Sequence, residues 1–325
     1  MSIEEPIRVY VGADRSQELA VAVLEYSIKR HTTAPVQVIP MVDLEVPVPI
    51  DPRNSQRTGF SFSRFCIPQL AGYRGRAIYM DADMQVFQDI RSLWELPFDG
   101  CKVLVQQSVK HVDETLRKEN APAARKKQCA VMLLDCGRLD WDVKAIVRGM
   151  DEERYSYAQL MDELCILPED QVGYRVPFEW NSLEHYDSGT CLIHYTDMGT
   201  QPWVSTRNPN GHLWFAEVRR MLGDGSLTWD RVRQEIALGY FRPSLVRDLR
   251  WGPLVPRFLQ PWFNRVNEGI DKASGFVAHR KVYEVKRLRN EAVRAYEKAL
   301  AARQKQAAAA DLGEPAAERK VAVKA

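Results

Sequence analysis

Two carboxylates interrupt an otherwise apolar run between Arg76 and Phe87. Asp81 and Asp83 follow the apolar residues 77–80, with Ala82 between them. Because side chains alternate along extended backbone, the two carboxylates point to one side and Ala82 points to the other. Carboxylates directed into one cleft repel each other unless a cation lies between them, and a hard divalent ion such as Mg²⁺ or Mn²⁺ suits oxygen ligands. The pattern predicts a metal site, with a turn carrying two solvated carboxylates as the alternative.

The segments around these carboxylates alternate between strand-like and helical patterns. Apolar and β-branched residues predict strands at residues 7–12, 36–42, 76–80, 102–105 and 131–134. Near-helical spacing of apolar residues predicts helices at 17–31, 58–70, 140–164 and 280–301. This alternation is typical of an α/β fold with a mainly parallel sheet flanked by helices. Ligands of such sheets bind beyond the carboxyl ends of the strands, which is where Asp81 and Asp83 are expected.

The composition is that of an ordinary globular protein, but the charge is unevenly distributed. The 325 residues carry a formal net charge of +2. Residues 242–325 hold 18 Lys and Arg against 9 Asp and Glu, so this end is basic and the remainder acidic. Six cysteines are widely spaced without a CxxC pair, which predicts reduced thiols. The first residues lack the pattern of a signal peptide, and no apolar run approaches the roughly 18–20 residues that span a bilayer. We expect a cytoplasmic protein. A peripheral position at the inner face of a membrane is compatible with this expectation.

Six short motifs follow one another between about residue 7 and residue 215. In chain order they are VYVGAD (9–14), SRFCIP (63–68), IYMDAD (78–83), DQ (170–171), WN (180–181) and HYTDMGTQPW (194–203). This series resembles glycosyltransferase family 8, whose members are retaining enzymes of the GT-A fold that use nucleotide sugars. The resemblance implies a Rossmann-like mixed sheet, and the order of the motifs carries it, since no single motif is specific.

The resemblance also implies roles for the residues in these motifs. It adds His194 to Asp81 and Asp83 as a third metal ligand, for Mn²⁺ or Mg²⁺ that bridges the two phosphates of the donor. It implies donor contacts, to a UDP-linked sugar, from Val11, Asp14, Arg64, Asp81, Ala82, Asp83, Gly199 and Trp203. Asp14 has a second reading as the N-cap of the following helix, and Arg64 as half of a surface ion pair.

The resemblance places the DQ motif near the reacting carbon of the sugar. It implies that Gln171 stabilises an oxocarbenium-like centre and that Asp170 holds the hydroxyls of the donor sugar. It favours a front-face substitution in which the leaving phosphate helps to deprotonate the acceptor, although the residues themselves leave a covalent intermediate open.

Two departures from the family pattern concern the donor. The family's Asn-x-Gly triplet before the strand at 131–134 is replaced by KQCA (127–130), which puts the donor sugar in question. Gln201 stands where the family has a phosphate-contacting Lys before Pro-Trp, so one cation is missing. Arg207 and Lys126 are the candidates to substitute for it.

The C-terminal third differs in composition from the rest. We predict a catalytic domain at 1–240, a basic, aromatic-rich helical extension at 241–300, and a disordered tail at 301–325. Trp251, Phe258, Trp262 and Phe263 alternate with arginines, a mixture found where proteins meet anionic membrane surfaces. Packing of these residues against the catalytic domain is the equal alternative, and nucleic acid is the least favoured partner.

The favoured function is a metal-dependent hexosyltransferase that moves sugar from a nucleotide-diphosphate donor to a glycan or lipid-linked acceptor. One alternative is a nucleotidyltransferase, which would usually cradle a triphosphate in a Gly-rich basic loop after its first strand. Another is a degenerate, non-catalytic protein that binds a nucleotide sugar, which the missing triplet and the missing Lys keep open.

Overall fold

The central sheet contains six strands in the order β2-β1-β3-β6-β5-β7. The computed structural model describes residues 5–106 and 127–313. The strands of this sheet are β1 (Ile7–Gly12), β2 (Val36–Met41), β3 (Arg76–Asp81), β5 (Val103–Gln106), β6 (Gln128–Asp135) and β7 (Val172–Val176). β1 pairs in parallel with β2 and β3, and β5 with β7, whereas β6 runs antiparallel to β3 and β5. The predicted α/β fold with a mixed, mainly parallel sheet is confirmed.

A small second sheet connects two distant parts of the chain. Its strands, in the order β4-β9-β8, are β4 (Met84–Val86), β9 (Leu192–His194) and β8 (Ser182–Leu183). β4 runs antiparallel to β9, with Met84 opposite His194. Residues after Asp83 are therefore held beside a segment more than a hundred positions later.

Helices flank the sheets and form the C-terminal part of the described chain. They are α1 (Glu18–His31), α2 (Ile67–Leu70), α3 (Arg91–Trp94), α4 (Val143–Asp151), α5 (Tyr157–Glu163), α6 (Gly211–Asp224), α7 (Trp229–Ala237), α8 (Leu245–Trp251), α9 (Gln260–Ala273) and α10 (Arg280–Gly313). Among these residues no helix combines the length and the apolar character needed to cross a bilayer.

The helix predicted at 58–70 is largely replaced by turns and a short 3₁₀ segment, Ser63–Cys66. Two side chains bond the backbone three residues earlier: Ser61 Oγ to the Thr58 carbonyl at 3.3 Å and Ser63 Oγ to the Phe60 carbonyl at 2.8 Å. Such local bonds compete with helix formation. Only α2, at the end of the segment, is α-helical.

The two faces of the central sheet bury separate sets of side chains. Tyr10 and Tyr79 point into one apolar cluster, and their neighbours Val9, Val11 and Ile78 point into the other. This is the period-2 alternation of a strand buried on both faces. It fixes the register of β1 and β3, and with it the position of the residues at their carboxyl ends.

The chain after residue 240 packs directly on the α/β domain. Phe241, Leu245 and Leu249 share an apolar cluster with Trp203 and Trp214. In addition, fully buried Arg242 forms an ion pair with Asp248, and its backbone N–H bonds the Trp203 carbonyl at 3.0 Å. The start of the basic extension is thus part of a continuous core.

The end of the extension differs from the predicted boundaries. α10 continues to Gly313, so residues 301–313, which we expected to be disordered, are helical. The rest of that tail, residues 107–125 and Lys126 lie outside the described residues. The division into a 1–240 domain and an extension remains a prediction.

Candidate metal and donor site

Asp81 and Asp83 meet His194 beyond the carboxyl end of β3. One ligand atom from each of the three residues lies within 4.8 Å of the other two. The side chains are mostly shielded, with 19% of Asp81, 15% of Asp83 and 7% of His194 exposed. Ala82 points back into the core and is fully buried. The alternation inferred from the sequence therefore brings the two carboxylates to one side.

The small sheet positions His194. It is the last residue of β9, directly opposite Met84, and the next backbone N–H, that of Tyr195, donates to the Asp83 carbonyl at 2.8 Å. His194 Nε2 lies 3.1 Å from Asp83 Oδ1. The imidazole and the carboxylates are thus held together by strand pairing.

A chain of amides fixes the tautomer of His194. Gln106 Nε2 donates to the backbone carbonyl of Asn181 at 3.3 Å, so Gln106 Oε1 is the acceptor for Asn181 Nδ2 at 2.6 Å. Asn181 Oδ1 then faces His194 Nδ1 at 2.9 Å and requires a proton on that nitrogen. In the neutral imidazole, Nε2 therefore presents its lone pair towards Asp83.

This arrangement fits a divalent cation. Ligand histidines in proteins donate their second ring N–H to an oxygen of the surrounding protein, as His194 does to Asn181. Without a cation, the lone pair of Nε2 would face the oxygen of Asp83 unless the ring were protonated. Two carboxylates and one imidazole suit Mn²⁺ or Mg²⁺.

The electrostatics of His194 agree with this geometry. Burial lowers the pKa of the imidazole, but the negative charges of Asp83 and Asp81 outweigh burial and raise the pKa above its usual value. The carboxylates thus favour a positive charge at this position, either a proton on Nε2 or a bound cation.

Gln201 supports Asp83. Its Nε2 donates to Asp83 Oδ2 at 2.9 Å and to the Tyr195 carbonyl at 2.8 Å, and the side chain is buried. The residue at the position of the family Lys therefore orients a carboxylate. Of the candidate substitutes for that Lys, Arg207 is paired with Glu268 at 3.0 Å, and Lys126 is outside the described residues.

Arg64 supports Asp81 from inside the core. Its guanidinium stacks on the ring of Tyr79, 4.5 Å from the centroid, and lies 3.7 Å from Asp81 Oδ1. The Tyr79 hydroxyl donates to Asp81 at 2.6 Å. Gly12 makes this possible, since a Cβ there would lie 2.4 Å from the Tyr79 hydroxyl. Arg64 is buried, so the alternative of a surface ion pair is wrong.

Arg64 remains cationic in this position. Burial alone would lower the pKa of its guanidinium, but the interactions with Tyr79 and Asp81 outweigh burial and raise the pKa. A fixed positive charge therefore lies directly behind the first carboxylate.

Asp14 caps the 3₁₀ turn Arg15–Gln17 that leads into α1. Its Oδ1 accepts the Ser16 N–H at 2.7 Å, and Gln17 completes a capping box. The N-cap reading is thus confirmed, while the nucleoside contact remains a prediction. Arg15 binds Glu235 at 3.1 Å, so this loop is no basic phosphate cradle of the kind a nucleotidyltransferase would use.

The remaining predicted donor residues have different surroundings. Val11 is buried in the core of β1, so its side chain is unavailable to a ligand. Gly199 lies exposed in a turn, where its N–H bonds Asp197 Oδ1 at 3.0 Å. Trp203 is buried and packs against Trp214, with ring centroids 5.5 Å apart. It anchors the segment that follows His194.

The structure does not bring Asp170 and Gln171 to this cluster. They directly precede β7, which runs parallel to β5, and the Gln171 carbonyl bonds Lys102 N at 2.8 Å before β5 begins. Because β5 is parallel to β3, the amino end of β7 lies at the edge of the sheet opposite Asp81. This corrects the assignment of catalytic roles to Gln171 and Asp170.

Two residues of the KQCA segment are engaged within the protein. The ammonium of Lys127 is buried between the Glu163 carbonyl and Glu169 Oε2, each at 2.6 Å. The Cys129 carbonyl accepts from Arg64 at 2.7 Å. These residues support the site from behind.

Gln106 is a supporting residue of this candidate site that sequence reasoning missed. It is polar, it ends β5, and it is 3% exposed. The signal that could have revealed Gln106 was an amide side chain in a buried position at the carboxyl end of a strand.

Comparison with known proteins finds a family that matches part of the chain. Residues 18–132 match the family model for glycosyl transferase family 8. This segment includes Arg64, Asp81 and Asp83. Over this segment the family resemblance found in the sequence is confirmed. The chain is a glycosyltransferase that is similar to family 8.

The chain is also similar to a curated plant protein and to two solved glycosyltransferase structures. It is 27% identical to "Protein CDI" of Arabidopsis thaliana over 222 residues, which cover 62% of this chain and 81% of the plant protein. The galactosyltransferase LgtC, in complex with donor and acceptor sugar analogues, is 12% identical over 70% of this chain and all of LgtC, with a TM-score of 0.49. The bifunctional glycosyltransferase WbbM is 18% identical, with a TM-score of 0.43 over 67% of this chain. The match spans half of the WbbM chain.

Proposed function

We propose that this glycosyltransferase moves a hexose from a UDP-linked donor to a glycan or lipid-linked acceptor, with retention, and depends on a divalent metal. Asp81, Asp83 and His194 are the proposed metal ligands. The family resemblance supports UDP and retention, and the geometry of Asp81, Asp83 and His194 supports the metal.

The observation that carries the metal proposal is the fixed tautomer of His194. The amide chain from Gln106 through Asn181 holds the proton on Nδ1, so the neutral imidazole directs the lone pair of Nε2 at the Asp81–Asp83 pair. A turn with two solvated carboxylates would require none of these buried supports. The arrangement is that of a ligand set held ready for a cation.

Each residue of the site has a separate role in this proposal. A bound divalent ion would stabilise the negative charge that develops on the leaving diphosphate, an effect worth several kcal/mol of barrier. Asp81 and Asp83 supply hard oxygen ligands. Gln201 orients Asp83, and Arg64 with Tyr79 orients Asp81.

A panel of nucleotide sugars tests the donor class. The purified protein is incubated with UDP-, GDP- and ADP-hexoses with Mn²⁺ or with EDTA, and thermal stability and nucleotide release are measured. We expect a UDP-hexose to raise Tm with Mn²⁺ only, because a ligand that binds the native state stabilises it. NMR of the anomeric proton in the transfer product then tests retention.

The same experiment separates the alternatives. Binding of a UDP-sugar without any release of UDP would favour the degenerate, non-catalytic protein. Pyrophosphate release from a nucleoside triphosphate would favour a nucleotidyltransferase. Equal binding and turnover with EDTA would refute the metal proposal.

We further propose that the extension contacts an anionic membrane surface. Trp251, Leu254, Phe258 and Trp262 are 54–81% exposed, and Arg250, Arg257 and Arg265 lie among them in the sequence and are also exposed. We call these seven residues the aromatic–arginine surface. Exposed aromatics with interleaved cations bind interfaces by apolar burial and by attraction to anionic headgroups.

Vesicle flotation tests this surface. The protein is expected to float with phosphatidylglycerol vesicles and not with phosphatidylcholine vesicles. The variant F258S/W262S should lose flotation, whereas Y283S/L288S, which removes exposed apolar residues of α10, should keep it. Undiminished flotation of F258S/W262S would refute the assignment.

A further inference from the structure

A cavity adjoins the turn after Asp14. Its volume is about 480 Å³, and its lining includes Ser16, Gln17, Trp203, Tyr240, His279 and Lys281. The first two residues follow the end of β1, and Trp203 ends the segment that begins at His194. The cavity therefore lies between the donor side of the sheet and the start of α10.

His279 occupies an unusual position in this lining. It directly precedes α10 with a left-handed backbone, φ +51°. A left-handed conformation of a residue other than glycine is costly and is often retained for function. Its Nε2 is buried without a hydrogen-bond partner among the described residues. A buried polar atom in that state calls for a missing partner.

The surroundings of His279 tie it to the metal site. Burial holds the pKa of the imidazole below its usual value, and it outweighs a hydrogen bond with the backbone of Met198 and the charges of Asp83 and Asp14, which act to raise the pKa. Met198 lies in the turn between His194 and Trp203. The ring therefore connects the start of α10 with the turn that follows His194, the proposed metal ligand.

Four other polar side chains that could bind a phosphate are already engaged. Gln201 replaces the expected Lys and bonds Asp83, and Arg207 is paired with Glu268. At the rim of the cavity, Lys281 bonds the Tyr240 hydroxyl at 2.7 Å, and Arg280 bonds the Gly275 carbonyl at 3.1 Å. His279, by contrast, presents a buried nitrogen without a partner among the described residues.

Building on the proposed function, we propose that His279 binds the diphosphate of the donor and takes the place of the missing family Lys. A diphosphate beside the ring favours the imidazolium, because an adjacent negative charge stabilises the charged form. The two N–H groups of the imidazolium then donate to the Met198 carbonyl and to a phosphate oxygen. The extension thus contributes a donor-binding residue.

The variant H279N tests this role. Asn tolerates the left-handed backbone, so the turn into α10 is kept while the imidazole is removed. H212N is the matched control, because His212 is exposed and bonds only the Pro209 carbonyl of its own turn. Binding of Mn²⁺–UDP is measured by calorimetry and binding of uridine by ligand-observed NMR, with Tm recorded for each protein.

We expect H279N to bind Mn²⁺–UDP about 10- to 100-fold more weakly, the range for losing a hydrogen bond to a charged group. Its affinity for uridine and its Tm should match those of the wild type, and H212N should match the wild type throughout. Unchanged UDP affinity in H279N would overturn the inference and leave the proposed function standing. An equal loss of uridine and UDP affinity would also overturn it, since His279 would then only shape the pocket. A wild-type protein that binds no nucleoside diphosphate with Mn²⁺ would remove the proposed function and the inference with it.

Discussion

Replacing Asn181 with Leu is the sharpest test of the metal site. Leu has a similar volume but cannot accept the Nδ1 proton of His194, so the ring is free to adopt the other tautomer and to present an N–H to the metal position. Loss of such a supporting partner typically weakens metal affinity 10- to 100-fold. This corresponds to about 1.4–2.7 kcal/mol of binding free energy. The substitution also leaves Gln106 Oε1 without its partner, which costs about 1–3 kcal/mol of stability.

The assay is calorimetric titration of Mn²⁺ in the presence of UDP, with urea denaturation as the measure of stability. N267L is the control, because Asn267 is a fully buried amide that bonds Asp248 at 3.1 Å in the extension. N267L should lose comparable stability and retain the Mn²⁺ affinity of the wild type. A folded N181L protein with undiminished Mn²⁺ affinity would refute the tautomer reasoning, and equal losses in both variants would point to general destabilisation.

Three further outcomes are expected. D83N should abolish the Mn²⁺-dependent rise in Tm with UDP, because it removes a ligand charge at nearly constant volume; thermal shift with and without EDTA checks this. R242M should lower the free energy of unfolding by about 3–5 kcal/mol, the cost of leaving a buried acidic partner uncompensated, as measured by urea denaturation. Burial raises the pKa of the thiols of Cys66 and Cys136 to about 11. At pH 8 both should therefore resist iodoacetamide, while the partly exposed Cys101 reacts, and their labelling should rise only as the pH approaches 11. Mass spectrometry of the labelled protein measures each thiol.

The part of the site that sequence predicted correctly depends on local geometry. The alternation of side chains along β3 and the position of Asp81 and Asp83 at its carboxyl end follow from the strand alone. The order of the family motifs then added His194. The structure unites the three because β9 pairs with β4.

The errors arose where a short match was read without topology. The DQ dipeptide at 170–171 looks like the family pair, but nothing in two residues specifies at which edge of a sheet they lie. The parallel pairing of β5 and β7 decides that, and it is a long-range property. The missed residue Gln106 shows the converse, since its role depends on a hydrogen bond with Asn181, 75 positions later.

The sequence presented packing on the catalytic domain and membrane contact as alternatives for the C-terminal extension, and the structure supports the first while the second remains a proposal. The start of the extension completes the core, since Phe241 and Leu245 are fully buried beside Trp203. Truncation near residue 240 would expose that cluster, so a truncated protein that failed to bind membranes would say nothing about the aromatic–arginine surface. Substitutions at exposed Phe258 and Trp262 avoid this problem, because neither side chain belongs to the core. If His279 also binds the donor, the same extension packs on the domain, contacts the donor and carries the proposed membrane surface, and the predicted boundary at residue 240 does not separate catalysis from attachment.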